Sequence, residues 1–193
     1  VKPLIKALFE DIDEEVRWKA AALGKIGDPI AVEPLIQALN DRSSAVRRNI
    51  IISLGNLGDE KAFDFILKSM NDEDWHVRKY AAVTLGKIGN ERAIKPLVKA
   101  LDDNDDDVRL KSIIALGNIG NSAVEPLLKV LETGDWKVKS MVAEVLGKIE
   151  DKRAVKPLLK LLYNKNQNKY VRGHIIEALG KIGDPIAVEP LIQ

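Results

Sequence analysis

The dipeptide Leu-Gly recurs at Leu23, Leu54, Leu85, Leu116, Leu146 and Leu179, at intervals of 31, 31, 31, 30 and 33 residues. A fixed period of this length marks stacked supersecondary units, which no ordinary globular topology requires. Two further markers keep the same beat. Val-Arg stands at Val16, Val46, Val77, Val108 and Val171, with Val138-Lys139 in the fifth unit. Pro-Leu stands at Pro3, Pro34, Pro96, Pro126, Pro157 and Pro190, replaced by Phe65 and Ile66 in the third unit. The phrase KIGDPIAVEPLIQ, found at Lys25–Gln37 and again at Lys181–Gln193, is the first and last full statement of this unit.

Each unit reads as two short helices. Val32, Leu35, Ile36 and Leu39 fall at i, i+3, i+4 and i+7, one face of an α-helix. Asp28 can cap that helix and Pro29 suits its start, while Pro34 has no amide hydrogen and so belongs in the first turn, with regular helix from about Ala31. In the second helix Val77, Ala81, Leu85 and Ile88 are spaced four, four and three apart. Asp13, Ser43, Asp74, Asp105, Asp135 and Asn168 each precede the marker valine by three, a column made entirely of good N-caps. Gly27, Gly58, Gly89, Gly120 and Gly183 mark the exits, where a left-handed residue can close the helix; Glu150 interrupts that column. A hairpin of this size cannot bury its apolar face alone, so units must share a continuous core. The expected fold is all-α: an α-solenoid of about six two-helix units forming one array over residues 1–193, with an incomplete unit at each end.

The stretches Ala31 to Asp59, Ala93 to Asn121 and Ala154 to Asp184 resemble the short HEAT-like repeat of about 30 residues first associated with phycobilisome lyases, and the resemblance covers essentially the whole chain. It implies a right-handed superhelix whose second helices line the concave wall. It also implies that the Val-Arg arginine pairs with an aspartate near the inter-helix turn. Matching residues are Asp11, Asp41, Asp72 and Asp103, with Arg17, Arg47, Arg78 and Arg109. Thr133 with Lys139, and Asn166 with Arg172, depart from that pattern, so a looser ladder is expected in the last two units.

Irregular units are informative. In the first, Val16 to Gly24 is one residue short and the preceding turn one residue long; a one-residue slip rotates a helical face by about 100°. The sixth carries two extra residues in Tyr163 to Tyr170, which predicts a longer surface loop. Val1 begins inside one helix and Gln193 stops inside another, and neither end has the polar cap that stacked repeats use for solubility. Further chain, or self-association through those ends, is the expected cover.

Charge narrows the partners. Thirty basic residues against 29 acidic ones give a net charge of +1, so the whole molecule exerts no pull on nucleic acid or anionic lipid. Only local patches can recruit a charged partner. No apolar run approaches the roughly 20 residues of a membrane span, and the lack of cysteine excludes thiolate sites and fits a reducing, cytoplasmic setting. The chain shows neither a phosphate-binding glycine loop nor a nucleophile elbow. Its two histidines, His76 and His174, lie three units apart, and the His-Glu pairs of iron-dependent hydroxylases built on similar repeats are missing. Asp102 to Asp107 lacks the glycine and bidentate glutamate of a calcium loop and reads as a cap with turn residues. No enzyme activity and no cofactor are expected.

Removing the packing positions leaves candidate contact columns on the second helices. The first two units supply Trp18, Arg48, Asn49 and Ile52. The middle units supply Lys79, Tyr80, Val83 and Lys87, then Leu110, Lys111 and Ile114. The last two supply Met141, Glu144 and His174. This is an apolar and aromatic stripe interleaved with cations, of the kind that marks a protein partner. Ile52, Val83 and Ile114 fit two readings, contact residues or additional core. Trp75 and Trp136 read as covers of the inter-helix turn, and the lysines of the column Lys25, Asn56, Lys87, Asn118, Lys148, Lys181 as solvated. The function these features favour is a non-enzymatic scaffold holding another protein along the second helices. An accessory factor like the phycobilisome chromophore lyases comes second, and a nucleic-acid binder third.

Overall fold

In the computed structural model, which describes residues 1–164 and 166–187, the chain is a stack of six helical hairpins. The first helices are α1 (Lys2–Glu10), α3 (Val32–Gln37), α5 (Phe63–Lys68), α7 (Ile94–Lys99), α9 (Val124–Thr133) and α11 (Val155–Leu162). The second helices are α2 (Glu14–Ala20), α4 (Ser44–Leu57), α6 (Trp75–Ile88), α8 (Asp106–Ile119), α10 (Trp136–Ile149) and α12 (Lys169–Ile182). No strand occurs among the described residues. The partial first helix expected around Pro190, and the chain end at Gln193, lie outside them, as does Lys165 within the sixth-unit loop.

Local chemistry sets the helix boundaries. Every residue of the predicted cap column accepts a backbone N–H: Asp13 from Glu15, Ser43 from Val46, Asp74 from His76, Asp105 from Asp107 and Val108, Asp135 from Val138, and Asn168 from Tyr170. Asp28 accepts from Ile30, and a single 3-10 turn over Pro29–Ala31 precedes the α-helix at Val32. Regular helix therefore begins one residue later than Ala31. Glu150 adopts the left-handed conformation of the glycines it replaces, with φ 59°. The backbone need persists although the glycine is gone.

The short second helix of the first unit keeps its buried face from Ala20 onward, although Val16 at its start is 36% exposed where its equivalents are buried. After α2 the chain tightens into a 3-10 helix over Ala21–Ile26. Six such residues turn through about 720°, against about 700° for seven in an α-helix, and rise about 12 Å against about 10.5 Å. The missing residue is thus absorbed, and Leu23 is buried like its equivalents. The expected slip is corrected by a change of helix type.

A single core of buried apolar side chains runs through the stack, including Leu35, Ile66, Leu97, Leu127 and Leu158 from the first helices and Val46, Val77, Val108 and Val171 from the second. Ile88 is an exception to its predicted face: it sits at the rim, 38% exposed.

The Leu-Gly glycines have a packing role that periodicity alone did not reveal. A Cβ built on Gly24 would lie 2.4 Å from Ser53, on Gly55 2.4 Å from Thr84, on Gly86 2.6 Å from Ala115, and on Gly147 2.7 Å from Ala178. Each glycine faces a small residue of the next second helix, and at Gly24, Gly86 and Gly147 the helices nearly touch backbone to backbone, while at Gly55 the contact is to the Thr84 side chain. First helices stand further apart, with a cleft of about 800 Å³ between α5 and α7 and one of about 420 Å³ between α1 and α3. The more closely spaced layer must lie on the inside of the curve.

Candidate protein-interaction surface

An arginine ladder fixes how consecutive units sit on one another, and therefore how their inner faces line up. Arg17 clasps Asp41, with Nε at 2.8 Å and Nη2 at 3.3 Å. Arg47 holds Asp72 at 2.8 and 2.7 Å, and Arg78 holds Asp103 at 2.8 and 2.9 Å. The pairs are offset by one unit from the within-unit order of the sequence, so each rung joins neighbours. The remaining nitrogen donates to carbonyls of the arginine's own turn, Asp11, Asp41 and Asp72 respectively. Each aspartate also accepts the N–H of the cap residue two positions on. Burial alone would raise the Asp41 and Asp103 carboxyls. Hydrogen bonds from Arg17 and Arg78, and from the Ser43 and Asp105 amides, outweigh it and hold both below the usual carboxylate range.

The ladder stops at Arg109. Thr133 stands where its carboxylate should be, and without that turn-forming side chain α9 continues as α-helix through Thr133. Arg109 turns back to Asp106 of its own helix. Lys139 reaches only the Glu132 carbonyl, at 3.1 Å. Other features of the junction are also altered. Val145 replaces the small residue opposite Gly117, and Gly120 takes φ 82° and ψ −138° in a connection one residue shorter than its equivalents. The hydroxyls of Ser112 and Ser140, one on each helix of this seam, are buried without a partner. A cleft of about 700 Å³ opens there, lined by Arg109, Leu110, Thr133, Trp136 and Met141 among others.

None of the fourteen candidate contact residues is buried, and all lie on the inner, second-helix layer. The two readings of Ile52, Val83 and Ile114 resolve toward partial exposure: Ile52 and Val83 are half-buried and Ile114 is 38% exposed. Ile52, Tyr80, Val83 and Lys87 share one small pocket of about 80 Å³. Trp18 and Arg48 line a second pocket, and Leu110 and Met141 a third, the seam cleft. The surface is therefore divided into three stations rather than one continuous groove.

Several candidates are already engaged. Lys79 is held by Asp107 at 3.1 Å and lies over the Trp75 ring at 4.5 Å. Glu144 accepts from Lys148 at 2.7 Å, Asn49 donates to the Trp18 carbonyl, and His174 Nδ1 lies 2.8 Å from the Tyr170 carbonyl. Lys87 and Lys111 carry no ion pair among the described residues, and Arg48 lies only over the Tyr80 ring, at 5.7 Å.

Trp75 is half-buried and stacks on His76, with ring centroids 3.6 Å apart. Trp136 is 44% exposed and stacks on Tyr170 across to the sixth unit, at the mouth of the seam cleft. Its place in that cleft, and the outer cleft lined by Lys68, Lys95 and Lys99, escaped sequence reasoning. The missing aspartate at Thr133 was the signal for the first.

In the Asp102 to Asp107 run, Asp103 serves as rung, Asp105 as cap, Asp106 pairs with Arg109 and Asp107 with Lys79. Among the described residues, no three histidine, cysteine or carboxylate side chains are grouped to hold a metal ion, and no helix is long and apolar enough to cross a membrane.

Stacked hairpins joined by an arginine–aspartate ladder define a helical-repeat solenoid, and comparison with known proteins agrees. The family model described as HEAT repeats matches residues 32–117, 94–166 and 124–193, and that for the PBS lyase HEAT-like repeat matches residues 17–41. The chain belongs to the HEAT-repeat family. Among solved structures it is similar to a chain in the complex of CpcE and CpcF of phycocyanin lyase from Nostoc sp. PCC7120, at 26% identity and a TM-score of 0.63, covering 98% of this chain and 79% of that one. It is also similar to an engineered protein, at 25% identity and a TM-score of 0.57, covering 94% and 95%. A designed armadillo repeat protein in complex with a (KR)4 peptide shares the fold at 21% identity and a TM-score of 0.61, covering 93% and 98%. No curated protein matches.

Proposed function

We propose that this protein is a non-catalytic scaffold that holds another protein along its inner wall. The observation that carries this reading is the lane Ile52, Val83, Ile114: three apolar side chains, one per unit at equivalent positions of the second helices, left partly open beside the half-buried Tyr80 and the exposed Leu110. Partly open apolar side chains repeated in register offer one anchor point per unit, and exposed apolar positions of this kind mark partner surfaces. Trp18 and Tyr80 flank the lane as rigid aromatic anchors. The two histidines lie three units apart, His76 beside Asp74 at 3.1 Å and His174 beside the Tyr170 carbonyl at 2.8 Å, so they do not form a joint site. We place the scaffold in the cytoplasm, as a chain without cysteine allows.

A photo-crosslinking amino acid at Tyr80 or Ile114 should capture a protein from lysate, and the same group at Lys68 on the outer wall should not. Trp18→Ala should abolish that capture while leaving thermal unfolding nearly unchanged, and Tyr80→Ala should abolish capture through Ile114 at a modest cost in stability, since Tyr80 also packs on the core. Equal capture at Lys68 would sink the inner-wall reading.

A second reading, an accessory factor resembling the phycocyanin lyase subunits, is favoured by the PBS lyase-type repeat at residues 17–41 and by the likeness to the complex of CpcE and CpcF. Its test is light scattering of the chain mixed with phycocyanin polypeptide: a stable complex supports it, and two independent species remove it.

A further inference from the structure

The inner wall changes character along its length. Near the end of each second helix, and in the 3-10 segment that ends the first, stands an exposed residue that is cationic or amide throughout: Lys25, Asn56, Lys87, Asn118, Lys148 and Lys181. In units two to four the lane next to it is apolar, Ile52, Val83 and Ile114, and the opposite rim contributes Arg48 and Lys111. In units five and six the same lane positions are Glu144 and Glu177. There the chain supplies its own carboxylate: Lys148 holds Glu144 at 2.7 Å, and Glu144 is pulled below the usual carboxylate range first by that hydrogen bond and then by the charges of Lys148, His174 and Lys181.

Resting on the scaffold reading above, we propose that the inner wall of units two to four binds an acidic amphipathic segment of a partner protein. Its apolar side chains pack on Ile52, Val83 and Ile114, and its carboxylates take the place at Lys87, Lys111 and Arg48 that Glu144 takes at Lys148. Charge complementarity selects this occupant. The lane itself presents no carboxylate in these units; Asp41, Asp72 and Asp103 are taken by rungs, Asp74 and Asp105 by caps, and Asp107 by Lys79. Nucleic acid would meet cations too, but it has no apolar side chains to cover the lane. At the roughly 8–10 Å between packed helices, three units span about 20 Å, the length of about 13 residues of helix.

The test uses the full chain and two 20-residue amphipathic peptides with leucine at helical spacing, one with glutamate at its polar positions and one with lysine. Fluorescence anisotropy should show the glutamate peptide binding at least tenfold tighter than the lysine peptide, and weakening several-fold between 50 and 200 mM salt. Lys87→Glu with Lys111→Glu should cost at least tenfold, and Lys148→Glu with Lys181→Glu less than threefold; both pairs are on helix surfaces, and circular dichroism checks that helix content is kept. The proposal is overturned if the lysine peptide binds as well, if polyuridylate binds more tightly than the glutamate peptide, or if the two charge-reversal pairs act alike. Capture of a protein at Tyr80 together with failure of the glutamate peptide would leave the docking wall standing and remove only its charge preference.

Discussion

The junction between units three and four and the junction between units four and five are built from the same sequence plan and hold together differently. In the first, Arg78 clasps Asp103, Gly86 lies against the backbone of Ala115, and the connecting turn has its full length. In the second, Thr133 removes the rung, Val145 props the helices apart at Gly117, and a shortened turn forces Gly120 into an unusual conformation. The core runs through both. Hydrophobic stacking is therefore enough to continue the array, while rung and glycine contact set how tightly successive units close.

The largest expected effect tests the glycine contact. Gly86→Ala should destabilise by about 2–3 kcal/mol, because its Cβ would sit 2.7 Å from the Ala115 Cα and backbone must move. Gly117→Ala meets only the Cγ1 of Val145, at 2.9 Å, and the helix-propensity gain of about 1 kcal/mol should nearly offset the crowding. Urea unfolding of the two variants gives the comparison, and equal losses would break it.

Removing a rung comes next. Asp72→Ala leaves the Arg47 side chain, 10% exposed, without its clasp and should cost about 2–3 kcal/mol. Arg109→Ala removes a pairing with the exposed Asp106 and a hydrogen bond to the Asp103 carbonyl but no clasp on the next unit, and should cost less, about 1 kcal/mol. Hydrogen exchange resolved by segment should place the Asp72→Ala loss at α4 and α6.

Acid should act on one side of the seam first. The Asp41 and Asp103 carboxyls are depressed when folded, so their contribution is complete above the ordinary carboxylate value of about 4 and is lost as pH falls through the folded values. Amides of units one to four should lose protection below about pH 4 more steeply than those of α10 and α12; uniform loss would argue against the ladder's role.

Two gains complete the set. Thr133→Asp should restore a rung to Arg109 and raise stability by about 1 kcal/mol, with slower exchange in α8 and α10. Glu150→Gly should gain up to about 1 kcal/mol by relieving a left-handed non-glycine residue, read as a higher melting temperature.

Local chemistry was legible in the sequence, and relations between units were less so. The cap column needed only residue type and position, because a cap bonds to amides two or three residues away. The direction of the Arg–Asp pairing was not legible, since a repeated Asp and Arg are compatible with pairing inside a unit or across two. The glycine seam emerges only when Gly55 is matched with Thr84, or Gly86 with Ala115, a comparison between columns rather than along one. Gain of register through a 3-10 segment at Ala21–Ile26 depends on tertiary packing choosing a tighter coil, which no count of residues announces. On the candidate surface, the column positions were readable, but the division into stations was not. It depends on which side chains, such as Lys79, are taken by neighbours.

Because Arg47 serves carbonyls of one hairpin and a carboxylate of the next, a hairpin carrying both an aspartate and an arginine brings its own fastening at each face. Copying such a module inside units two to four would lengthen the array without leaving an orphaned charge. Copying the fifth would insert a second loose joint. The chain's grammar thus favours growth by whole, in-phase duplication on one side of Thr133, and any change in reach comes in whole steps.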